Sequence, residues 1–352
     1  MTDIIANSLP VSEVPQGQDG TARGSTAFRR KHILDLDDFS AQEITRVLDT
    51  TDAMKEILGR PIKKVPTLRG KTVVNLFYEA STRTRVSFEM AAKNLGADSV
   101  SMTASASSVT KGESLVDTLC TLQALGADAV VIRHAYSGAP YLASRVLKGS
   151  VINAGDGWHG HPTQGLLDAY TVRSKLGSLD GRKVVIVGDV LHSRVARSAI
   201  WAFTKLGAQV MVCGPATLMP NWFLHSAAEN NGQVMPGLSL SLNLDRAIEG
   251  ADVVMALRLQ MERMQAGLLP STREYVRLYQ VSSERVSRAK PGALVMHPGP
   301  MNEGVEIAPD VAHGTQSVIE EQVSNGVAVR MALLYLLIGP NAAVPPVEVE
   351  RR

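Results

Sequence analysis

Short apolar runs alternate along the chain with segments whose apolar residues recur at helical spacing. The runs are rich in valine and isoleucine and show no period-two alternation, which is typical of parallel strands covered on both faces. They predict seven strands, at residues 72–77, 129–133, 151–154, 184–187, 210–213, 253–257 and 293–297. Because strands and helices alternate, the pattern predicts an α/β fold with parallel sheets.

The segments between the runs each carry one apolar face, as amphipathic helices do. One helix is predicted to end at Gly96 and another at Gly207, since glycine terminates helices readily. A long helix is predicted over 162–176, and a last, strongly apolar helix over 317–337. The apolar positions of the first two helices are Phe88, Ala91, Ala92 and Leu95, and Val195, Ala199, Ile200, Phe203 and Leu206.

The length of 352 residues exceeds what one hydrophobic core usually serves. We therefore expect two domains, each a parallel sheet flanked by helices, joined by long helices. The glycine-rich segment 155–162 is interpreted as a connection between them. The predicted division is a disordered N-terminal arm at 1–28, a first domain at 29–162 plus 316–338, a second domain at 163–315 and a flexible tail at 339–352.

Composition narrows the classes of function. The chain carries 36 basic and 34 acidic residues, a net charge of +2, which gives no global field for nucleic acid or an acidic membrane. No apolar run approaches the roughly 20 residues of a membrane span. The two cysteines, Cys120 and Cys213, are too few for a disulfide framework and are expected to be reduced core residues. These features favour a soluble, cytoplasmic protein.

The segment after the first predicted strand concentrates groups that bind anions. Ser81, Thr82, Arg83, Thr84 and Arg85 stand where a helix begins. A helix N-terminus offers unpaired N–H groups and partial positive charge, and hydroxyl and guanidinium groups add donors. We therefore predict a phosphate site at this helix end. The alternative interpretation is a serine N-cap beside two solvated arginines.

Two common nucleotide-binding motifs are missing from the sequence. There is no G-x-x-x-x-G-K-[ST] loop for a nucleoside triphosphate. The strand at 184–187 is followed by a single glycine, Gly188, rather than by the G-x-G-x-x-G fingerprint of dinucleotide sites. An NAD-dependent dehydrogenase is therefore an unfavoured alternative, and no cofactor is expected. His159 and His161 by themselves are too few to bind a metal ion.

Two motifs carry a resemblance to a known family. The pentapeptide from Ser81 to Arg85, followed by Val-Ser-Phe-Glu, resembles the carbamoyl-phosphate signature of the transcarbamylase family. The tetrapeptide His-Pro-Thr-Gln at 161–164 resembles the family's second motif, and the similarity extends over residues 30–338. The resemblance implies transfer of a carbamoyl group from carbamoyl phosphate to an amino acid, with no metal and no covalent enzyme intermediate.

The resemblance also assigns roles to single residues. Negative charge grows on the carbonyl oxygen when an amine attacks, so donors near this oxygen would be catalytic. Those donors are Thr84, Arg133 and His161, and Arg83 would offset the charge of the leaving phosphate. The residues that would bind carbamoyl phosphate are Ser81, Thr82, Arg83, Thr84, Arg133, His161, Gln164, Gly299 and Pro300.

A further set of residues resembles the aspartate branch of the family. Arg194, Arg258 and Gln260 would bind the two carboxylates of L-aspartate, since carboxylates favour arginine. Ser107 and Lys111 resemble a mobile loop that reaches into the adjacent subunit's active site. A homotrimer with shared active sites is then the smallest competent unit. The implied product is N-carbamoyl-L-aspartate, formed in the committed step of pyrimidine (UMP) biosynthesis.

Several alternatives stay open at this point. The nearest is an ornithine-type or other amino-acid transcarbamylase, although residues 297–300 are His-Pro-Gly-Pro rather than the His-Cys-Leu-Pro of ornithine enzymes. A catalytically inactive homologue that serves as a scaffold is the alternative from another class. Met301 and Glu303 stand where many relatives carry an arginine, which argues against an arginine-mediated contact there. A regulatory chain or a dihydroorotase-type partner is compatible with the sequence.

Overall fold

The structure is a computed structural model that describes residues 28–103, 113–260, 268–269, 271–340 and 342. Two of the predicted site residues, Ser107 and Lys111, lie outside the described residues. So do residues 1–27 of the predicted arm and most of the predicted tail.

The first four strands of the chain form one parallel sheet. They are β1 (Thr72–Phe77), β2 (Asp98–Thr103), β3 (Ala129–His134) and β4 (Ser150–Asp156). Their order across the sheet is β2-β1-β3-β4, with all neighbours parallel. The chain therefore moves first to one side of β1 and then to the other. This reversal opens a crevice at the carboxyl ends of β1 and β3, where α/β proteins bind ligands.

The remaining strands form a second sheet. They are β5 (Lys183–Val187), β6 (Gln209–Cys213), β7 (Gln233–Met235), β8 (Leu238–Ser241), β9 (Val253–Ala256) and β10 (Leu294–Met296). Their order is β10-β9-β5-β6-β8-β7, and β7 pairs antiparallel with β8 while the other pairs are parallel. Here the order reverses between β5 and β9, which opens a second crevice at the carboxyl ends of these two strands.

Helices cover the faces of both sheets. None of those in the described part of the chain is long and apolar enough to span a membrane. In chain order they are α1 (Ala41–Gly59), α2 (Thr82–Asn94), α3 (Leu115–Ala124), α4 (Ala139–Val146), α5 (Pro162–Leu176), α6 (Arg194–Lys205), α7 (Asn221–Glu229), α8 (Leu244–Ala247), α9 (Thr272–Tyr279), α10 (Ser283–Val286), α11 (Pro309–Ala312) and α12 (Ile319–Ile338).

The predicted fold class, two parallel sheets flanked by helices, is confirmed. All seven predicted strands occur within two residues of their predicted ends, whereas β2, β7 and β8 were not predicted. Strand β2 carries aspartate, serine and threonine and is largely exposed, so no apolar run marks it. The last helix begins at Ile319 rather than at 317, because Ser317 forms a bridge with Val295 of β10.

Two long helices join the halves of the molecule. Helix α12 follows the second sheet in sequence but packs against α1, α2 and α5. Helix α5 packs against α6 as well, and its residues from Pro162 to Val172 are all buried. Gly165 permits this packing, since a Cβ there would lie 2.7 Å from the carbonyl oxygen of Ser198 on α6. The crevices of the two sheets are thereby held in fixed proximity.

The expectation that both cysteines are core residues is wrong for one of them. Cys213 is buried on β6, but Cys120 is exposed on α3. The neighbouring Leu119 and Leu122 face the core. Cys120 follows Leu119 by one position, and successive helical residues point in directions about 100° apart. The apolar run around Cys120 is therefore a helix on which the cysteine side chain points away from the core.

The expectation that residue 28 belongs to a disordered arm is wrong. Phe28 is buried, and its ring lies 6.4 Å from the ring of Phe39. Close by, the guanidinium of Arg30 stacks over the Phe39 ring at 3.8 Å and pairs with Glu43 on α1. These contacts fix the chain from residue 28 onward to the first helix.

Candidate active site

The loop between β1 and α2 forms one wall of a cavity. Ser81 is the N-cap residue of α2, yet in the described structure its hydroxyl accepts no capping hydrogen bond. No acidic residue lies in the first turn, and Thr84 is buried there. The amide N–H groups and the partial positive charge of this helix end are therefore available to an anion in the cavity. This geometry disfavours the alternative of a capping serine.

A single carboxylate joins arginines from the two crevices. Arg133 stands at the end of β3, and its Nη2 lies 3.1 Å from Oε2 of Glu79. Arg194 begins α6 after β5, and its Nη2 lies 2.6 Å from the same oxygen. Each guanidinium also binds a backbone carbonyl. Arg133 donates to that of Ala154 and Arg194 donates to that of Gly157, each at 3.1 Å. Glu79 thus bridges the first sheet to the second.

The two guanidinium groups pack against Gly155. A Cβ at this position would lie 3.0 Å from Arg133 Nη1 and from Arg194 Nε, and its φ of +113° also favours glycine. Burial lowers the pKa of Arg194 to about 10. Burial, and then the charges of Arg194 and Arg330, lower the pKa of Arg133 well below its ordinary value. The site is therefore rich in buried positive charge, which a polyanion would relieve.

His161 immediately precedes α5 and contacts α6. It is buried, and its backbone N–H donates to the Ser198 hydroxyl at 2.8 Å. Burial, followed by the charges of Arg133 and Arg194, lowers the pKa of His161 well below 6.5. The imidazole is therefore neutral near pH 7, and a neutral imidazole donates one hydrogen bond. His161 can polarise a carbonyl but does not deliver a positive charge.

The neutral state of His161 predicts a pH dependence of stability. In the unfolded chain an imidazole takes up a proton near about pH 6.5. The folded protein resists this proton, so stability is lost as the pH falls below that value. We expect the melting temperature of His161→Gln to fall less than that of the unaltered protein between about pH 7 and pH 5. Thermal unfolding monitored by circular dichroism measures this difference.

The comparison with His161→Gln removes contributions that both proteins share. Burial raises the pKa of Asp168 to about 7, which acts with the opposite sign: the folded protein disfavours the charged carboxylate, so this contribution to stability is lost as the pH rises. His225→Gln is the matched control, since His225 is exposed on α7. We expect the control to keep the slope of the unaltered protein. An equal slope for all three proteins would contradict a buried neutral His161.

The loop after β10 brings the two ends of the cavity together. Gly299 has a φ of +61°, and a Cβ there would lie 3.0 Å from Cζ of Arg83. The Gly299 N–H donates to Nδ1 of the buried His297 at 2.8 Å. Burial and the nearby charge of Arg258 lower the pKa of Arg83. The arginine of the first crevice and that of the second therefore face the same space.

Loops from both crevices enclose a cavity of 520 Å³, within the range of about 300–1,000 Å³ that is usual for small-molecule sites. Met301 also lines the cavity, whereas Glu303 is outside it, with His313 Nε2 3.3 Å from its carboxylate. Every predicted site residue in the described part of the chain lines it: Ser81, Thr82, Arg83, Thr84, Arg133, His161, Gln164, Arg194, Arg258, Gln260, Gly299 and Pro300.

Three further lining residues were not predicted to contribute. Glu79 stands two residues before Ser81, and an acid beside a basic motif is a signal for an internal ion pair. Arg330 is a single charge among the apolar residues 327–338, which indicates a buried partner, and its Nη1 donates to the Ser87 hydroxyl at 2.8 Å. Gln322 on α12 carries no comparable signal in the sequence.

Comparison with known proteins identifies the family. The carbamoyl-P binding domain of aspartate/ornithine carbamoyltransferase matches residues 31–174, and the Asp/Orn binding domain of the same family matches residues 180–337. The aspartate carbamoyltransferase catalytic subunit of Roseiflexus castenholzii is 63% identical over 319 residues, which cover 90% of this chain and 98% of that protein.

Solved structures agree in fold. Aspartate transcarbamoylase from Trypanosoma cruzi, in complex with N-(phosphonacetyl)-L-aspartic acid, is 30% identical with a TM-score of 0.78 over 89% of this chain and 97% of its own. Ornithine carbamoyltransferase from Pyrococcus furiosus is 32% identical with a TM-score of 0.77 over the same shares. The chain therefore belongs to the aspartate/ornithine carbamoyltransferase family.

Proposed function

We propose that the protein transfers the carbamoyl group of carbamoyl phosphate to L-aspartate, giving N-carbamoyl-L-aspartate and phosphate in pyrimidine biosynthesis. The observation that carries this proposal is the meeting of Arg83 and Arg133 from one crevice with Arg194 and Arg258 from the other in one cavity. Carbamoyl phosphate and aspartate together bring one phosphate and two carboxylates, so cationic groups are needed at both ends. The sequence relative at 63% identity is named as an aspartate enzyme.

The phosphate would bind at the N-terminus of α2. Ser81, Thr82 and Thr84 supply hydroxyl groups, the helix supplies N–H groups, and Arg83 supplies a guanidinium. Helix ends of this kind favour anions through hydrogen bonds and partial charge. Arg83 would also offset the charge that the phosphate gains as it leaves. The phosphate would thus be held before and after the transfer.

The carbamoyl carbon would be attacked by the neutral amine of aspartate. As the new C–N bond forms, the carbonyl electrons move onto oxygen, which Thr84, Arg133 and neutral His161 would stabilise as fixed donors. The oxygen then restores its double bond, the C–O bond to phosphate breaks, and the phosphate departs with the electron pair. The amine proton leaves as well, and a phosphate oxygen is a candidate acceptor. Gln164, with backbone carbonyls near Gly299 and Pro300, would hold the carbamoyl amine.

The carboxylates of aspartate would bind at the second crevice. Arg194 and Arg258 both follow strands at their carboxyl ends, and Gln260 lies two residues further on. An arginine has five N–H donors, so Arg194 can contact a carboxylate while two of its nitrogens bind Glu79 and a backbone carbonyl. Closure of the two halves over the substrates would exclude water that competes with the amine.

Turnover of competing amino acids tests the acceptor. We expect kcat/KM for L-aspartate to exceed that for L-ornithine by at least about 100-fold, because a cationic side chain would be repelled by the arginines of the cavity. The measurement is formation of the carbamoylated amino acid from radiolabelled carbamoyl phosphate. Faster turnover of ornithine or an acylated ornithine would identify another member of the family, in line with the fold similarity to the Pyrococcus furiosus enzyme.

We further propose a homotrimer in which Ser107 and Lys111 complete the site of the adjacent subunit. Mixing Lys111→Ala subunits with Arg83→Ala subunits tests it, since neither parent has an intact site. Random trimers should recover roughly a quarter of full activity, because each hybrid ring contains one complete interface. In the control mixture, Arg46→Ala subunits take the place of the Arg83→Ala subunits. Arg46 is an exposed residue of α1. No recovered activity in the hybrids would contradict shared sites.

The cellular setting completes the proposal. We place the enzyme in the cytoplasm, in keeping with two cysteines that form no disulfide with each other. The sequence is compatible with a regulatory chain or a dihydroorotase partner, and nucleic acid is not an expected partner at a net charge of +2. We propose residues 29–162 plus 316–338 as the carbamoyl-phosphate domain and 163–315 as the aspartate domain, which is supported by the packing of α12 on α1 and α2.

A further inference from the structure

A buried chain of hydrogen bonds leads from the loop after β10 to Gln164. The backbone N–H of His297 donates to Oε1 of Gln322 at 3.0 Å. Nε2 of Gln322 donates to Oδ1 of Asp168 at 2.7 Å, and Nε2 of Gln164 donates to the same oxygen at 3.0 Å. All four residues are buried. Asp168 and Gln164 are one turn apart on α5, whereas Gln322 and His297 come from other parts of the chain.

The backbone N–H of His297 fixes the direction of every hydrogen bond in this series. A backbone N–H can only donate, so the amide oxygen of Gln322 must face His297. The amide nitrogen of Gln322 is then at the other end and must donate to Asp168. Oδ1 of Asp168 acts as an acceptor, and it therefore also receives the amide nitrogen of Gln164. The amide oxygen of Gln164 therefore points away from Asp168.

The amide oxygen of Gln164 matches the ligand of the proposed function. Gln164 lines the cavity, and the carbamoyl group carries an –NH₂ that needs an acceptor. A flipped amide would turn its own –NH₂ toward the –NH₂ of the ligand, so two donors would meet. An acetyl group carries a methyl in place of the amine, so its binding would depend little on the orientation of the Gln164 amide. The orientation of one amide therefore bears on which acyl phosphate binds.

We propose that Asp168 is a positioning residue that fixes the amide of Gln164 with its oxygen toward the carbamoyl amine, and that Gln322 sets the direction of this arrangement. Asp168 does not line the cavity, so it acts through Gln164. The proposal rests on the proposed function, in which carbamoyl phosphate is the ligand. It assigns Asp168 and Gln322 to selection between acyl groups rather than to the chemical step.

The acceptor role of Asp168 holds across neutral pH. Burial raises its pKa to about 7, and the two amide donors and the charge of Arg330 act in the opposite direction. In the described structure the second oxygen, Oδ2, has no hydrogen-bond partner. A proton on Oδ2 would leave Oδ1 as an acceptor, so both protonation states orient Gln164 in the same way.

Three variants separate this role from a general structural one. Asp168→Leu removes the acceptor while keeping the number and branching of the side-chain heavy atoms, Asp168→Ala removes it with less crowding should the leucine variant fail to fold, and Asp168→Asn retains an oxygen that can accept both amides. Calorimetric titration measures the binding of carbamoyl phosphate, acetyl phosphate and inorganic phosphate to each protein. Thermal unfolding in the same buffer checks that each variant is folded.

We expect the leucine and alanine variants to lose carbamoyl phosphate affinity by about 10- to 100-fold, a factor of ten corresponding to about 1.4 kcal/mol. Acetyl phosphate and inorganic phosphate should stay within about 2-fold, since neither presents an amine to Gln164. Asp168→Asn should stay within about 3-fold for all three ligands. In turnover, KM for carbamoyl phosphate should rise far more than kcat falls.

Equal weakening of all three ligands would overturn the proposal, because it would indicate a structural role for Asp168. Unchanged carbamoyl phosphate affinity in both the leucine and the alanine variant would also overturn it. The carbamoylation of aspartate by the unaltered protein is measured in the same series. Absence of that activity would count against the proposed function, whereas its presence with either failing result would count against the role of Asp168 alone.

Discussion

Replacing Arg133 by methionine should lower kcat by at least about 1,000-fold, while KM for aspartate changes far less, since one fixed donor to a developing oxyanion is worth about 100- to 1,000-fold. Arg133 also carries a full charge, and its side chain is only 12% exposed, so water cannot replace it. Burial, and then the charge of Arg133, lower the pKa of His161, and both residues line the same cavity. Steady-state kinetics with both substrates varied measures the effect.

Two further variants define what the loss of Arg133 means. Arg133→Lys keeps the charge but loses the paired N–H groups that contact Ala154 and Glu79, so it should recover only a small part of the activity. Arg46→Met is the matched control, since Arg46 is exposed on α1, and it should retain full kcat. A kcat for Arg133→Met within about 10-fold of the unaltered protein would be incompatible with a role at the carbonyl oxygen.

Replacing Glu79 by glutamine should destabilise the empty protein by about 3 kcal/mol, because it leaves two buried guanidinium groups without the carboxylate that joins them. Oε2 of Glu79 lies 2.6 Å from Arg194 and 3.1 Å from Arg133. For a chain of 352 residues, with an unfolding entropy of about 2.1 cal/mol/K per residue, we expect the melting temperature to fall by about 4 °C. We also expect kcat to fall by about 100-fold, since small displacements of catalytic groups have effects of that order.

Anion binding provides an internal check on the loss of Glu79. Inorganic phosphate should raise the melting temperature of Glu79→Gln more than that of the unaltered protein, because the anion supplies the missing negative charge. Glu303→Gln is the matched control, since Glu303 pairs with His313 on the surface, and it should melt within about 1 °C of the unaltered protein. A Glu79→Gln variant with unchanged melting temperature and unchanged response to phosphate would show that the bridge does not hold the halves together.

The prediction of an anion site at the start of α2 could be made from the sequence because its determinants are local. Strand β1, the loop and the start of α2 are contiguous from 72 to 85, and apolar pattern, hydroxyls and arginines all occur in that stretch. Arg194 and Arg258 were assigned by resemblance to the family, and each follows an apolar strand, β5 and β9 respectively. The strands that the sequence missed, β2 among them, carry polar and exposed residues, so burial gave no pattern to detect.

The contacts between the parts of the site could not be predicted from the sequence, because they join residues that are far apart along the chain. Glu79 and Arg194 are 115 residues apart, Asp168 and Gln322 are 154 apart, and Ser87 and Arg330 are 243 apart. Which partner a buried charge finds depends on how α5 and α12 pack between the sheets. A sequence pattern shows that a charge lies in an apolar helix but does not show what it meets.

The sequence by itself determined the α/β class, the hydroxyl and guanidinium groups at the start of α2 and the identity of the other cationic groups, since backbone preference and helix-end electrostatics depend on neighbouring residues. The tertiary structure alone decided that both crevices open into one cavity, that Glu79 pairs with both Arg133 and Arg194, and that Asp168 accepts a hydrogen bond from Gln164. The physical reason is that electrostatic and hydrogen-bond partners act through space over a few ångströms, and the packing of the long helices sets those distances.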